Sequence, residues 1–321
     1  METPSGPAVR AARAFNAYVA ERPQALSQVR SACPVLVNAL TLEEPRLLAG
    51  HVRWAGSVAA SRGDAENDAA ALLHRLGSIA EELADVDDRR TVEEFLAAAR
   101  PAPDAGDDIA RYPDARRYLQ VLLSFDQESA GALTAAALED GMPLERIHAE
   151  ILEPALVEIG RLWETACITV SHEHYASQVT CQIMNVLNAT VPRPVQLQRT
   201  FVGMCVEGEQ HDIGLRMICD QLRARGWRTV YLGADVPTRE FAAVLRDTAP
   251  DVVGLSLASA ARLGDAREAI ATARKACPRA RIAIGGRIFR DGGNLWNKLG
   301  ADAGARNAGE AIAAIEALAA R

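Results

Sequence analysis

Residues 208–214 read GEQHDIG and follow directly on the apolar run FVGMCV at 201–206. A buried strand that releases the chain here sets an imidazole (His211), a carboxylate two residues before it (Glu209) and a glycine (Gly214) on one turn. A neutral imidazole ligates metal through one ring nitrogen, and a carboxylate on the other nitrogen fixes its tautomer and raises its basicity. One histidine without clustered cysteines or a second histidine does not hold zinc. A metal bound here is therefore expected to arrive already ligated, in a macrocycle. Taken alone, the turn reads first as an ordinary loop histidine capping a helix over 212–225.

The elements around the turn are those of an open sheet. From about residue 200, short β-rich runs (TFVGMCV, RTVYLGA, DVVGLSLA, ARIAIGG and the weaker ADAGAR) alternate with helical stretches such as GLRMICDQLRARG and TREFAAVLRDTA. Continuous apolar strands between helices imply a parallel sheet covered on both faces. His211 then falls at the carboxyl end of the first strand, where open α/β sheets bind ligands. Gly208 and Gly214 do not make the GxGxxG of a dinucleotide site.

Upstream the pattern is helical. Residues 8–100 place apolar residues at three- and four-residue spacing, as in EPRLLAGHVRWAGSVAAS. RPAPDAGDDIARYPDA at 100–115 reads as a linker. Four helical patterns follow at about 115–125, 127–140, 143–163 and 170–190, with DGMP at 140–143 as a stop and start. Joined by short turns, they suggest an antiparallel bundle. The expected fold class is α plus α/β: an N-terminal helical module over 1–110, a four-helix bundle over 111–195 that would cap a ligand, and an open doubly wound, Rossmann-like parallel sheet over 196–321.

Composition excludes some partners. A net charge of −7 and a sequence pI near 5.5 argue against direct nucleic-acid binding, which needs a basic face. Apolar runs stay short of a membrane span, and METPSGPAVR lacks the apolar core of a signal peptide. The six cysteines form no CxxC pair and read as reduced core thiols, which fits a cytoplasmic location. The chain shows no nucleophile–base pair and no phosphate loop, so it is not expected to be an enzyme by itself.

EQHDIG resembles the DxHxxG signature of base-off, His-on cobalamin-binding domains, with Glu209 at the Asp position and His211, Asp212, Ile213 and Gly214 following. The resemblance implies cobalamin as cofactor and His211 as the lower cobalt ligand. It implies that the displaced nucleotide tail enters the sheet beside a Ser-x-Leu and a Gly-Gly. GLSLAS offers Ser256, with Ala258 in place of the Leu, and IGGRIF offers Gly285 and Gly286. Glu209 accepts the same hydrogen bond as an Asp on a longer arm. The resemblance spans roughly residues 115–321.

The bundle narrows it. Trp163, nine intervening residues, then Glu173 and His174 is similar to the W-x9-E-H motif of adenosylcobalamin light sensors of the CarH/LitR type. That likeness implies Trp163 over the upper corrin face and Glu173 and His174 on the adenosyl group, hence adenosylcobalamin in preference to methylcobalamin. By residue type alone, Trp163 also suits core packing, and Glu173 and His174 suit a solvated turn. Glu164 stands where those sensors can place a His after the Trp, and His172 is an additional candidate facing the cavity. Residues 1–110 contain no basic recognition helix of the kind that heads those regulators.

The expected function is a cobalamin-dependent photoreceptor in which light cleaves the upper cobalt–carbon bond and alters conformation or oligomeric state. Its partners would be copies of itself or a downstream signalling protein, not nucleic acid or membrane. The alternative is a corrinoid protein shuttling methyl groups in a methyltransferase system. Residues 8–100 read either as a dimerisation or docking module or, by resemblance to photocobilins, as a site for biliverdin. His51, Arg53, Trp54, His74, Arg75 and Arg111 are the groups available to such a pigment.

Overall fold

The computed structural model describes residues 6–21, 29, 31–64, 68–99, 109–192, 194–290 and 294–320. The expected linker over 100–115 lies outside the described residues as far as 108; a short turn at Ile109–Arg111 follows, and Pro113 opens the next helix. Two compact units form: residues 1–105 with 164–166 and 259–264, and the remainder of 106–321. Among the described residues, no helix is long and apolar enough to cross a membrane.

The first unit contains α1 (Pro7–Glu21), α2 (Ala32–Leu42), α3 (Pro45–Ser61), α4 (Ala69–Glu81) and α5 (Val86–Ala98). Each buries one stripe, as Ala8, Ala11, Ala12 and Phe15 do on α1, at the spacing that brings side chains onto one helix face. Asp68 and Asp85 cap α4 and α5 by accepting backbone N–H groups of the first turn. The Arg10 Nε donates to buried Asp88 Oδ1 at 2.9 Å, tying α1 to α5.

The second unit begins with the bundle: α6 (Pro113–Leu123), α7 (Gln127–Glu139), α8 (Leu144–Ile147), α9 (Glu153–Glu164) and α10 (Val170–Thr190). Gly141, at φ +84°, ends α7 and Pro143 precedes α8, as the DGMP stretch predicts. The expected single helix over 143–163 is instead widened into a π-turn at His148–Leu152. Pro154 has no N–H to return to the carbonyl of Glu150, so the ladder is rerouted over the preceding turn. α10 buries Ala176, Val179, Thr180, Ile183, Met184 and Leu187 along one stripe, and Met217 joins the same core.

The sheet follows with β1 (Thr200–Cys205), α11 (Ile213–Ala224), β2 (Arg228–Tyr231), α12 (Thr238–Thr248), β3 (Val252–Ser256), α13 (Leu263–Ala276), β4 (Arg281–Gly285), α14 (Leu295–Leu299), β5 (Ala303–Ala305) and α15 (Ala308–Ala319). The order is β2-β1-β3-β4-β5, every pair parallel. Chain direction across the sheet reverses between β1 and β3, the switch point at which this topology opens a ligand crevice. Register places Cys205, Ser256, Gly285 and Ala305 in one row, so the loops after β1, β3 and β4 leave the sheet side by side. Fully buried Phe201 packs its ring over Gly254, where an added Cβ would lie 2.2 Å from the ring. The cysteine expectation needs correction. None of the six is in a disulfide, but only Cys33, Cys205 and Cys219 are buried, and Cys167 is exposed at the turn after α9.

Candidate functional site

His211 stands on the loop between β1 and α11, and its side chain is 79% exposed. Its Nδ1 lies 2.5 Å from Glu209 Oε1, which also accepts the His211 backbone N–H at 3.0 Å. The second oxygen, Glu209 Oε2, accepts the backbone N–H of Ala258 at 2.7 Å. Glu209 is 2% exposed, and a carboxylate so placed is tolerated only with its oxygens hydrogen-bonded. Burial pushes its pKa up. The bonds from the His211 ring, the Ala258 N–H and the His211 N–H outweigh this and bring it down to about 2. The same carboxylate raises the basicity of His211 against the effect of burial. Arg287 works against that rise, and Glu173 lies near enough to add to it.

The other residues of the turn divide the work. Asp212 receives the Tyr231 hydroxyl on Oδ2, which ties the head of α11 to β2. Ile213 opens α11 and packs against the bundle core. A Cβ added at Gly214 would meet nothing within 4 Å, so the head of α11 borders open space. Ser256 ends β3 and Gly285 ends β4 in the shared row. Gly286 holds φ 120° and ψ 178°, a region open essentially to glycine alone. A Cβ there would sit 2.0 Å from the Leu257 carbonyl oxygen, so the loops after β3 and β4 touch backbone to backbone.

On the bundle, Glu173 is in the first turn of α10. Its Oε2 lies 2.6 Å from His174 Nδ1, and its Oε1 accepts from Ser177 Oγ at 2.8 Å. His174 is largely exposed. Trp163 is half-buried in the last turn of α9 and makes no hydrogen bond or ring contact to Glu173 or His174. His172 serves the helix start: its Nδ1 receives the Thr169 N–H at 3.4 Å and lies 2.8 Å from Thr169 Oγ1. The structure therefore gathers Glu209, His211 and Ala258 into one bonded set, with Glu173 in electrostatic reach.

Among the described residues, no three His, Cys, Asp or Glu side chains converge as a metal cage. With Nδ1 engaged, His211 offers Nε2 alone, so a metal there has to bring its other ligands with it. A macrocyclic complex meets that condition, and the open head of α11 leaves room beside it. Residues 199–316 match the family model described as a B12 binding domain, and residues 114–188 match a second model of the same description. The chain carries B12-binding domains.

Two kinds of relative resemble the chain. The HTH-type transcriptional repressor CarH of Myxococcus xanthus is 31% identical over 157 residues, which is 49% of this chain and 51% of CarH. The match thus spans about half of that repressor. Dimethylamine corrinoid protein 3 of Methanosarcina acetivorans is 28% identical over 176 residues, 54% of this chain and 81% of that protein. The solved monomethylamine corrinoid protein of Methanosarcina barkeri superimposes with a TM-score of 0.53 at 23% identity. It covers 63% of this chain and 96% of its own, and it shares the fold. These B12-binding domains take a corrinoid as cofactor, and the bonded set around His211 suits one.

Ala258 stands where the resemblance places a Leu, but its role as a backbone N–H donor to Glu209 leaves no trace in residue type. Two further contributors escape sequence reasoning. Ser177, one turn beyond Glu173, gives no motif. Asp235, in LGADVP after β2, accepts the Gly208 N–H at 2.7 Å and could have been found only from the convergence of loops at the carboxyl end of a parallel sheet.

Proposed function

We propose that this chain is a cobalamin-dependent photoreceptor, with adenosylcobalamin favoured over methylcobalamin as its bound form. The observation that carries the reading is Glu173, a carboxylate held by Ser177 and His174 on the bundle and close enough to act on His211. An alkylcobalamin supplies a cobalt–carbon bond that visible light breaks. In this reading His211 would hold the metal through Nε2, with Glu209 keeping that nitrogen basic and aimed. Glu173 would accept hydrogen bonds from hydroxyls of the cofactor, His174 would complete its setting, and the half-buried indole of Trp163 would help to exclude water. Ser256, Gly285 and Gly286 would take the nucleotide portion.

Light then alters conformation or oligomeric state, and the signal passes to copies of the chain or to a downstream signalling protein in the cytoplasm. The net charge of −7 speaks against direct contact with nucleic acid. Biliverdin is proposed as a second pigment of the N-terminal unit. There the His51 and Trp54 rings lie 5.5 Å apart, and buried His51 Nε2 has no hydrogen-bond partner among the described residues. Arg53 and Arg75 belong to the same unit, as does His74; Arg111 lies on the turn before α6.

The second reading is a corrinoid methyl carrier. It is favoured by the 81% coverage of a dimethylamine corrinoid protein. Absorption spectra and size-exclusion profiles of the adenosylcobalamin-loaded protein, taken in the dark and after green light, separate the two. Photolysis accompanied by a change in size or shape supports the sensor. Photolysis with an unchanged profile, together with methyl transfer from a methylamine-loaded partner in the dark, supports the carrier.

A further inference from the structure

Two loops at the carboxyl end of the sheet are stitched together by one side chain. Asp235, between β2 and α12, is exposed and holds φ +49°, an uncommon conformation for a residue other than glycine. Its Oδ1 accepts the Gly208 N–H at 2.7 Å, and its Oδ2 accepts from Gln210 Nε2 at 3.3 Å. Its own N–H donates to the Glu209 carbonyl at 2.9 Å. Three consecutive residues ahead of His211 are thus bonded to Asp235. A neighbouring pair repeats the connection, as Glu207 Oε2 accepts the Thr238 N–H at 3.1 Å.

We infer that Asp235 is a positioning residue for the lower ligand: it fixes the backbone of 208–210 so that His211 presents Nε2 to cobalt before the cofactor arrives. The inference rests on the reading of His211 as that ligand. The physical argument is one of geometry and entropy. Glu209 orients the imidazole ring, but ring orientation is useful only if the loop bearing it has a fixed place. An exposed loop free to sample other conformers presents the ligand for a fraction of the time, and apparent affinity falls by that fraction. Asp235 replaces water at the Gly208 N–H with a charged acceptor, a stronger bond than a neutral one. Local strain at a non-glycine residue persists where surrounding structure over-determines it, and here the three bonds do so.

The test uses full-length protein loaded with cob(II)alamin. Electron paramagnetic resonance reports a histidine nitrogen on cobalt as a splitting of the cobalt lines, and a titration gives affinity. Asp235→Ala is expected to weaken binding about 10- to 100-fold, the range for groups that support a ligand, and to reduce the histidine-split fraction. Asp235→Asn tolerates positive φ and keeps an acceptor for Gly208, so it should restore most of both. Asp235→Gly relieves the backbone without any acceptor and should behave like the alanine variant. Thermal melting of each apoprotein checks folding. Retention of full splitting and affinity in the Gly and Ala variants overturns the role of Asp235. Absence of the histidine splitting in the unaltered protein overturns the ligand reading itself, which is a different result.

Discussion

At the scale of the residue, the site depends on a carboxylate kept charged where burial opposes charge. Glu209 is held near a pKa of about 2 by donors on two sides, the His211 ring and the Ala258 N–H. Replacing it by Gln keeps the size but gives up the anion, so the imidazole loses basicity and the donors on one side face an amide NH2 that cannot accept them. Glu209→Gln is expected to lower cobalamin affinity by about 10- to 100-fold. His211→Ala should go further and abolish the His-on absorption spectrum. A titration followed by absorbance reads both, and an unchanged spectrum in His211→Ala would sink the ligand assignment. The Glu209–His211 pair was legible in sequence because its partners are two residues apart. The Ala258 donor lies 49 residues away and acts through backbone, which residue type does not encode.

At the scale of the element, hydrophobic period carried most of the information. Five apolar runs became five parallel strands, and the 3.6-residue stripes became the bundle. The π-turn at His148–Leu152 was not legible, because the apolar pattern passes through it with little change of phase. That turn delivers His148 into the interface with α11, 1% exposed, with Gln221 Nε2 3.4 Å from Nδ1 and, among the described residues, no hydrogen-bond partner for Nε2. Burial lowers its pKa from 6.5 to about 4. Between those values the unfolded chain binds a proton that the folded chain refuses, so stability falls as pH is lowered through the window. Each unit of it costs about 1.4 kcal/mol. His148→Gln removes this titration. Urea midpoints at pH 7 and pH 5 should therefore fall less in the variant than in the unaltered protein, and equal falls would show that the imidazole is not held neutral.

At the scale of the whole molecule, the chain splits into two compact units. Every residue of the bonded set around His211, and Glu173 on the bundle, belongs to the second unit; His51, Trp54 and the five N-terminal helices belong to the first. Both B12-binding matches, 114–188 and 199–316, fall beyond residue 105. A methylamine corrinoid protein covering 63% of this chain reaches the same fold without a counterpart for the rest. The second unit also has the material of an independent fold: a bundle core of Tyr118, Ile147, Ile151 and Met184, and a five-stranded sheet whose central strands β1, β3 and β4 are mostly buried. Removal of residues 1–105 is thus expected to leave cobalamin uptake and the His-on spectrum within a few-fold of the full chain. It should abolish any red-absorbing band that biliverdin develops with the full-length protein, because His51 and Trp54 leave with the deleted segment. Difference spectra of both proteins, titrated first with cobalamin and then with biliverdin, make the comparison. A full-length chain that takes up no bilin would leave the N-terminal helices as a dimerisation or docking module, and a truncated chain that keeps the red band would place the pigment on the second unit.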